Sequence, residues 1–336
     1  MMLPSNTSHP SAHSVNPVPL PADRFPVFFR LTRFSYSQMD HQTYRCEAAI
    51  YHDSMSLQVT WEACQPDIRL RQGVLVRVCW TRHPYCRNGY VRIGRLVLSE
   101  TPSPGFDLLA TVPSGWVKDR SLVERARGLT ARLSAPQLHL FNVIFWDGRR
   151  FHRFLSGPSS LNGHHSGPNG NFRHSIDVAE RCLAMAADKP RVARDLLILA
   201  ALLHDAGKAD EYTYDRDRQR FEMSDRGALI GHRHTILEWI AVALADQRIN
   251  LPEEQRLGLL HCLTAGNGAG FLGIRQPASI EAVTLASADG LSGKSDLLLA
   301  NASDDAGFGR YHKHLGARPY VAERAGEAKL IGPEAG

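Results

Sequence analysis

The sequence predicts an α+β multidomain chain, a small N-terminal β-barrel or sandwich followed by an all-α helical domain. Two observations predict it. Between about Phe25 and Val112 apolar residues alternate at period two in short runs, and beyond about Ser156 the apolar period lengthens to that of helices. The length, 336 residues, is enough for two packed cores.

The first two dozen residues are rich in Ser, Pro, Asn and His and read as a disordered leader over 1–24. They lack the basic start and continuous apolar stretch of a signal peptide. The β-region is expected over 25–115. Leu57, Val59 and Trp61 alternate with polar neighbours, as do Val74, Val76, Val78 and Trp80. Asn88-Gly89 is a hairpin signal, and Tyr90 to Leu98 reads as one further strand. A mixed helical connector follows over 116–156, with a Gly- and Ser-rich loop from Ser156 to Asn171. Helical spacing then runs through Ile176 to Ala186, Leu196 to Ala206, His234 to Ala245, Glu253 to Thr264 and Ser279 to Ala300. This helical domain is expected over 157–322, with a loose tail at 323–336.

Composition limits the partners. The formal net charge is +5, which suits a polyanion without requiring one. The β-region holds many arginines and no lysine, with Arg77, Arg92, Tyr90, Tyr85, Trp61 and Trp80 among them. Arginine interleaved with aromatic rings suits single-stranded nucleic acid, charge meeting phosphates and flat faces meeting bases. The competing reading is a solvated arginine face around a core, and Trp61 and Trp80 suit the core better than a stacking platform. Six cysteines without a CxxC pair read as reduced thiols of a cytoplasmic protein. The longest apolar run, Leu196 to Leu203, is too short to span a bilayer, so no membrane partner is expected.

The chemistry concentrates in L-L-H-D-A-G-K, where His204 and Asp205 close an otherwise apolar helix. Burying a carboxylate beside an imidazole is costly without a partner, and a divalent cation is one that both groups ligate. Gly207 is expected to let the chain turn, and Lys208 to project toward the same place. A lone His-Asp pair is weak evidence. His174 lies thirty residues upstream at a helix start, and Asp289 closes A-V-T-L-A-S-A-D downstream.

The order His, His-Asp, Asp on helical patterns resembles the HD superfamily of metal-dependent phosphohydrolases. The resemblance implies metal ligation by His174, His204, Asp205 and Asp289. It is closer to one branch, the YhaM-type 3′→5′ exoribonucleases, which join an OB-fold to an HD-domain helical bundle. The segments G-P-S-S-L-N-G-H-H, L-I-G-H and P-A-S-I-E-A-V-T-L-A-S-A-D-G-L-S-G-K carry that likeness. It makes the N-terminal barrel OB-like, and His232 and His261 candidates for a second metal with Asp205 bridging. His164 and His165 become substrate contacts or loop hydrogen-bonders, while His234 matches nothing. Two departures stand out: Asn169, Asn171, Phe172 and Arg173 replace the branch's residues before His174, and Ala265-Gly266-Asn267-Gly268 replaces Ser-His-His-Gly. The second removes two imidazoles and puts the second metal in doubt.

The function expected is a metal-dependent phosphodiesterase, a 3′→5′ exonuclease on single-stranded RNA or DNA releasing nucleoside 5′-monophosphates. One or two divalent ions at Asp205 would activate water against phosphorus, with Lys208 neutralising phosphoryl charge or serving only as a helix-terminal cation. Manganese is the first choice of metal, ahead of magnesium, iron, cobalt and nickel. The rival readings are a phosphohydrolase of free or cyclic nucleotides and a weakly catalytic nucleic-acid-binding accessory protein, for instance in mobile-element DNA processing. Assembly into a homo-oligomer is left open.

Overall fold

The computed structural model describes residues 18–19, 25–161, 165–245, 249–266, 270 and 273–323. The rest of the expected leader and tail, His164, and Asn267-Gly268 lie outside the described residues. The chain divides into two compact units, one up to Glu100 and one from Thr101.

The first unit is one sheet of eight strands: β1 (Val18–Pro19), β2 (Phe29–Gln38), β3 (Tyr44–His52), β4 (Met55–Ala63), β5 (Leu75–Cys79), β6 (Tyr85–Arg87), β7 (Tyr90–Arg92) and β8 (Arg95–Leu98). Their order is β1-β6-β7-β4-β3-β2-β5-β8. Every pair is antiparallel except β4 with β7. The alternation seen in the sequence is the core: Cys46, Ala48 and Ile50 of β3 and Val59 and Trp61 of β4 share one buried cluster with Phe29 and Leu31. Trp80 packs against it, half-buried. Asn88 and Gly89 both take positive φ, 52° and 80°, the mirror-image turn that suits the twist of a two-residue hairpin.

Three expectations are corrected here. Val18–Pro19, inside the expected leader, pairs with β6 at the sheet edge, where proline's missing N–H costs nothing. The run Tyr90 to Leu98 is two strands, β7 on β4 and β8 on β5. It breaks at Ile93-Gly94, where Ile93 N donates to Thr60 O and Gly94 N to Cys79 O. A Cβ on Gly94 would stand 3.0 Å from that Cys79 oxygen, tighter than nearly all real contacts. The sheet is also not a closed barrel, because β1 and β8 are its two free ends among the described residues. It is strongly curled all the same. Arg92 and Arg95 are three residues apart, at most about 11 Å of chain, while five strand spacings in a flat sheet would need about 24 Å.

The second unit is helical: α1 (Arg120–Thr130), α2 (Ala135–Phe145), α3 (Gly148–Ser156), α4 (Gly170–Met185), α5 (Arg194–Leu203), α6 (Lys208–Glu211), α7 (Asp225–Leu229), α8 (Gly231–Leu244), α9 (Glu253–Thr264) and α10 (Ile280–Ala300). Helix α5 is buried on every side, Leu196 through Leu203, and packs on α4, α9 and α10. The connector helices belong to this core. Helix α1 packs on α4, α2 on α8, and α3 on α4 and α6, with Phe145, Phe154 and Phe172 in ring contact. The unit is not all-α: β9 (Tyr212–Asp215) pairs with β10 (Arg220–Met223), and β11 (Gly307–Phe308) with β12 (Tyr320–Val321). Among the described residues no helix is long and apolar enough to cross a membrane.

Candidate metal centre

The apolar wrapping of α5 forces its C-terminal end into the interior, which carries His204 and Asp205 with it; Asp205 is 6% exposed. His174, fully buried, comes from the first turns of α4, Asp289 from the middle of α10, and His232 from the start of α8. One ligand atom each from His174, His204 and Asp205 lie within 4.8 Å of one another. His174 Nε2 is 3.1 Å from Asp289 Oδ1 and 3.4 Å from Asp205 Oδ2, and His204 Nε2 is 3.6 and 3.5 Å from the same two oxygens. On the other side of the carboxylate, His232 Nε2 lies 3.4 Å from Asp205 Oδ1. Asp205 thus has imidazole nitrogens on both oxygens.

Ring orientation follows from the far nitrogens. His204 Nδ1 is 2.7 Å from the Ala201 carbonyl and must donate to it. Ser292 Oγ gives its only proton to Asp177 Oδ2 at 2.5 Å, so at 3.2 Å it accepts from His174 Nδ1. His232 Nδ1 donates to Glu211 Oε2 at 2.6 Å. With Nδ1 donating away from the centre in each ring, Nε2 is the nitrogen all three turn toward Asp205. His174 and His204 Nε2 approach to 3.3 Å of one another. Three imidazole nitrogens and carboxylate oxygens converging this way suit a divalent transition metal.

The electrostatics agree. Burial works against a charged His174, yet the hydrogen bonds and charges of Asp205 and Asp289 outweigh it and raise the pKa to about 9. Burial would favour neutral Asp205, but the charges of His204 and Lys208 and the His174 hydrogen bond hold it well below the usual carboxylate range. Asp289 is lowered too, burial being overcome by His174 and His204. The centre favours positive charge among ionised carboxylates.

Lys208 Nζ donates to Asp205 Oδ2 at 2.6 Å, so it sits at the centre rather than on the surface. A cavity of about 210 Å³ opens here, lined among others by His204, Asp205, Lys208, His232 and Asp289. Arg233 lines it as well, a cation the sequence reading passed over between His232 and His234. His165 is close, its ring centroid 5.8 Å from that of His174 and its backbone N–H donating to Asp296. His261 turns elsewhere. Its Nε2 accepts from Ala278 N at 2.9 Å, and it is not among the residues lining the cavity. His234 is exposed and bonded to the Ile230 carbonyl.

Supporting residues were not anticipated either. Asp177 and Ser292 stand three residues after His174 and Asp289, on the same helix faces, and that i+3 spacing could have disclosed them. Glu211 has no such signal.

In the β-unit an open groove of about 470 Å³ is lined by Arg45, Arg87, Arg92, Tyr85 and Tyr90, with Arg92 paired to Glu62 at 3.1 Å. The structure thus brings Tyr90 and Arg92 together. Arg77, on β5, does not line this groove.

A model of the HD domain family matches residues 171–293, the segment that supplies all five centre residues. The chain is also similar to proteins named 3′-5′ exoribonuclease YhaM. A Listeria welshimeri protein named 3′-5′ exoribonuclease YhaM is 28% identical over 130 residues, 37% of this chain and 38% of that protein. A Bacillus subtilis protein of the same name is 26% identical over 242 residues, 71% of this chain and 74% of that one. The match therefore spans well under half the length of the Listeria relative. No solved structure matches the chain.

Proposed function

We propose that this protein is a metal-dependent phosphodiesterase that shortens single-stranded RNA or DNA from the 3′ end and releases nucleoside 5′-monophosphates. The observation that carries the reading is the convergence of three imidazole Nε2 atoms on the two oxygens of Asp205. His174, His204, Asp205 and Asp289 would hold a first divalent ion, manganese by preference. His232 on the far oxygen of Asp205 marks where a second would share that carboxylate. When bound, such an ion supplies positive charge for phosphoryl oxygens and acidifies water.

The chain's own groups divide the remaining work. Asp205, kept ionised, presents its carboxylate to both sides. Lys208 and Arg233 place cations at the cavity, where they stabilise negative charge growing on phosphorus-bound oxygens. The curled β-unit serves as an OB-like single-strand holder, its arginines meeting phosphates and its tyrosines meeting bases. The 3′→5′ direction rests on the named relatives.

The test is a 5′-labelled oligonucleotide incubated with manganese. A ladder shortening from the 3′ end, lost in Asp205→Ala while strand binding persists, is expected. Rapid turnover of a free or cyclic nucleotide with no ladder would replace the nuclease by the small-substrate enzyme. Strand binding without turnover under any divalent metal would leave only an accessory protein.

A further inference from the structure

Beyond α10 the chain forms a small ribbon that the metal centre does not use. Strands β11 and β12 pair through Phe308 and Tyr320, and an isolated bridge joins His312 to Ala317. The ribbon is fixed from within: Gly309 N donates to Pro319 O at 2.7 Å, and Arg318 Nε donates to Gly309 O at 2.9 Å. It is also fixed to α10, where Arg310 N donates to Asn301 O at 2.9 Å. The approach is close enough that a Cβ on Gly309 would lie 2.0 Å from that oxygen.

What the ribbon presents outward is unusual for a packed element. Phe308, Tyr311 and Tyr320 are 62, 65 and 64% exposed. Phe308 and Tyr320 touch edge to face at 5.0 Å, with the Arg318 guanidinium 5.6 Å from the Phe308 ring. From position 306 to 320 there are three cations, Arg310, Lys313 and Arg318, and no carboxylate; Asp304 and Asp305 lie just before. Among the described residues none of the three cations is ion-paired. Exposed rings without exposed aliphatic partners, set among unpaired cations on a rigid support, match bases and phosphates better than an apolar protein surface.

We infer that this ribbon is a second single-strand-binding surface, stacking bases on Tyr311 and Tyr320 and meeting phosphates with Arg310, Lys313 and Arg318. It rests on the reading of the chain as acting on nucleic acid. It adds a grip carried by the helical unit itself, independent of the groove in the β-unit.

The experiment uses the full chain and a fluorescein-labelled 12-nucleotide oligouridylate, followed by anisotropy in EDTA. Phe308→Ala/Tyr311→Ala/Tyr320→Ala should bind about ten-fold or more weakly, since stacking on each ring contributes separately. Tyr311→Ala alone, at a ring that is 65% exposed, should show a smaller loss in the same direction. Arg310→Gln/Lys313→Gln/Arg318→Gln should flatten the slope of log affinity against log salt by about 2, at about 0.7 per phosphate on single strands. Manganese-dependent hydrolysis of bis(p-nitrophenyl) phosphate should stay at the wild-type rate in all three, reporting an intact metal centre. Unchanged binding in all three variants overturns the ribbon and leaves the nuclease reading standing. So does a drop in mass by light scattering with unchanged binding, which would make the face a contact between copies of this chain. Ring-dependent binding by a protein that never shortens the oligonucleotide in manganese overturns the nuclease reading alone.

Discussion

One oxygen of Glu211 holds His232 twice, accepting from its backbone nitrogen at 2.8 Å and from its ring Nδ1 at 2.6 Å. Glu211 ends α6 and His232 stands near the start of α8, so the pair ties the turn after the His-Asp motif to the helix that faces it. Burial alone would raise the Glu211 pKa, but the His232 hydrogen bonds and charge lower it, and the carboxylate stays ionised. A ring held this way can only offer Nε2 to the centre, 3.4 Å from Asp205 Oδ1. Carboxylates that orient metal-ligating imidazoles in this manner raise their basicity as well.

Glu211→Ala should therefore weaken manganese binding at the His232 side by about 10- to 100-fold while leaving the His174 side occupied. Calorimetric titration of the metal-free protein reads both affinity and stoichiometry. An isotherm indistinguishable from wild type would remove His232 from the ligand set.

Gly207 is needed for a reason other than the one its position suggests. Its φ is −61°, ordinary helical backbone, so it supplies no special turn. What it supplies is room, because a Cβ there would lie 2.1 Å from the His232 carbonyl oxygen. Gly207→Ala should push α8 away from Asp205, cost about 1–3 kcal/mol of stability through overpacking, and cut hydrolysis at least ten-fold. His234→Ala, on the exposed face of the same helix, should do neither. Circular dichroism melts and the oligonucleotide assay measure the two effects separately.

The groove in the β-unit makes a prediction against the simplest reading of its arginines. Arg45 and Arg87 line it and are exposed, whereas Arg77 stands on β5 outside it. Arg45→Gln/Arg87→Gln should weaken strand binding and flatten its salt dependence by about 1.4 in slope, and Arg77→Gln should leave both unchanged. Equal effects from both variants would show that charge on the whole unit, rather than this groove, governs affinity.

How much of this was legible in the sequence depends on where each signal is written. Helix α5 was plain because eight successive apolar residues followed by His204 and Asp205 admit few other arrangements, and Asn88-Gly89 was plain because its backbone requirement is local. Trp61 could be assigned to the core because its neighbours alternate. The break at Gly94 was not, since it arises from the approach of Cys79 fifteen residues away, and the run of apolar residues across it looks continuous. His261 shows the same limit at the centre. Its spacing is right, but only packing decides that its Nε2 accepts from Ala278 instead of turning to Asp205. Glu211 was invisible because it acts across a hairpin, β9–β10, whose polar turn residues gave no periodic pattern.

Asp147 offers a pH-dependent test of how the connector helices support the centre. It caps α3, accepting from Arg149 N at 2.8 Å and Arg150 N at 2.9 Å, and α3 in turn carries Arg153, which bonds Ala209 O and Asp210 on α6 beside the metal centre. Burial raises its pKa, but the two N–H groups and the charges of Arg150 and Arg153 more than offset that, so the folded carboxyl titrates below its ordinary value. A lowered folded pKa means that stability is gained wherever the unfolded carboxyl is already ionised, and lost as pH falls through the folded value. Asp147→Ala should thus cost about 1 kcal/mol at neutral pH. The gap from wild type should narrow below about pH 4, the ordinary range of a free aspartate. Urea unfolding followed by Trp116 and Trp146 fluorescence in the helical unit, at pH 7 and at pH 3, measures it. A gap of equal size at both would mean that α3 is held by Phe151 and Phe154 in the core and owes nothing to the charge at its first turn.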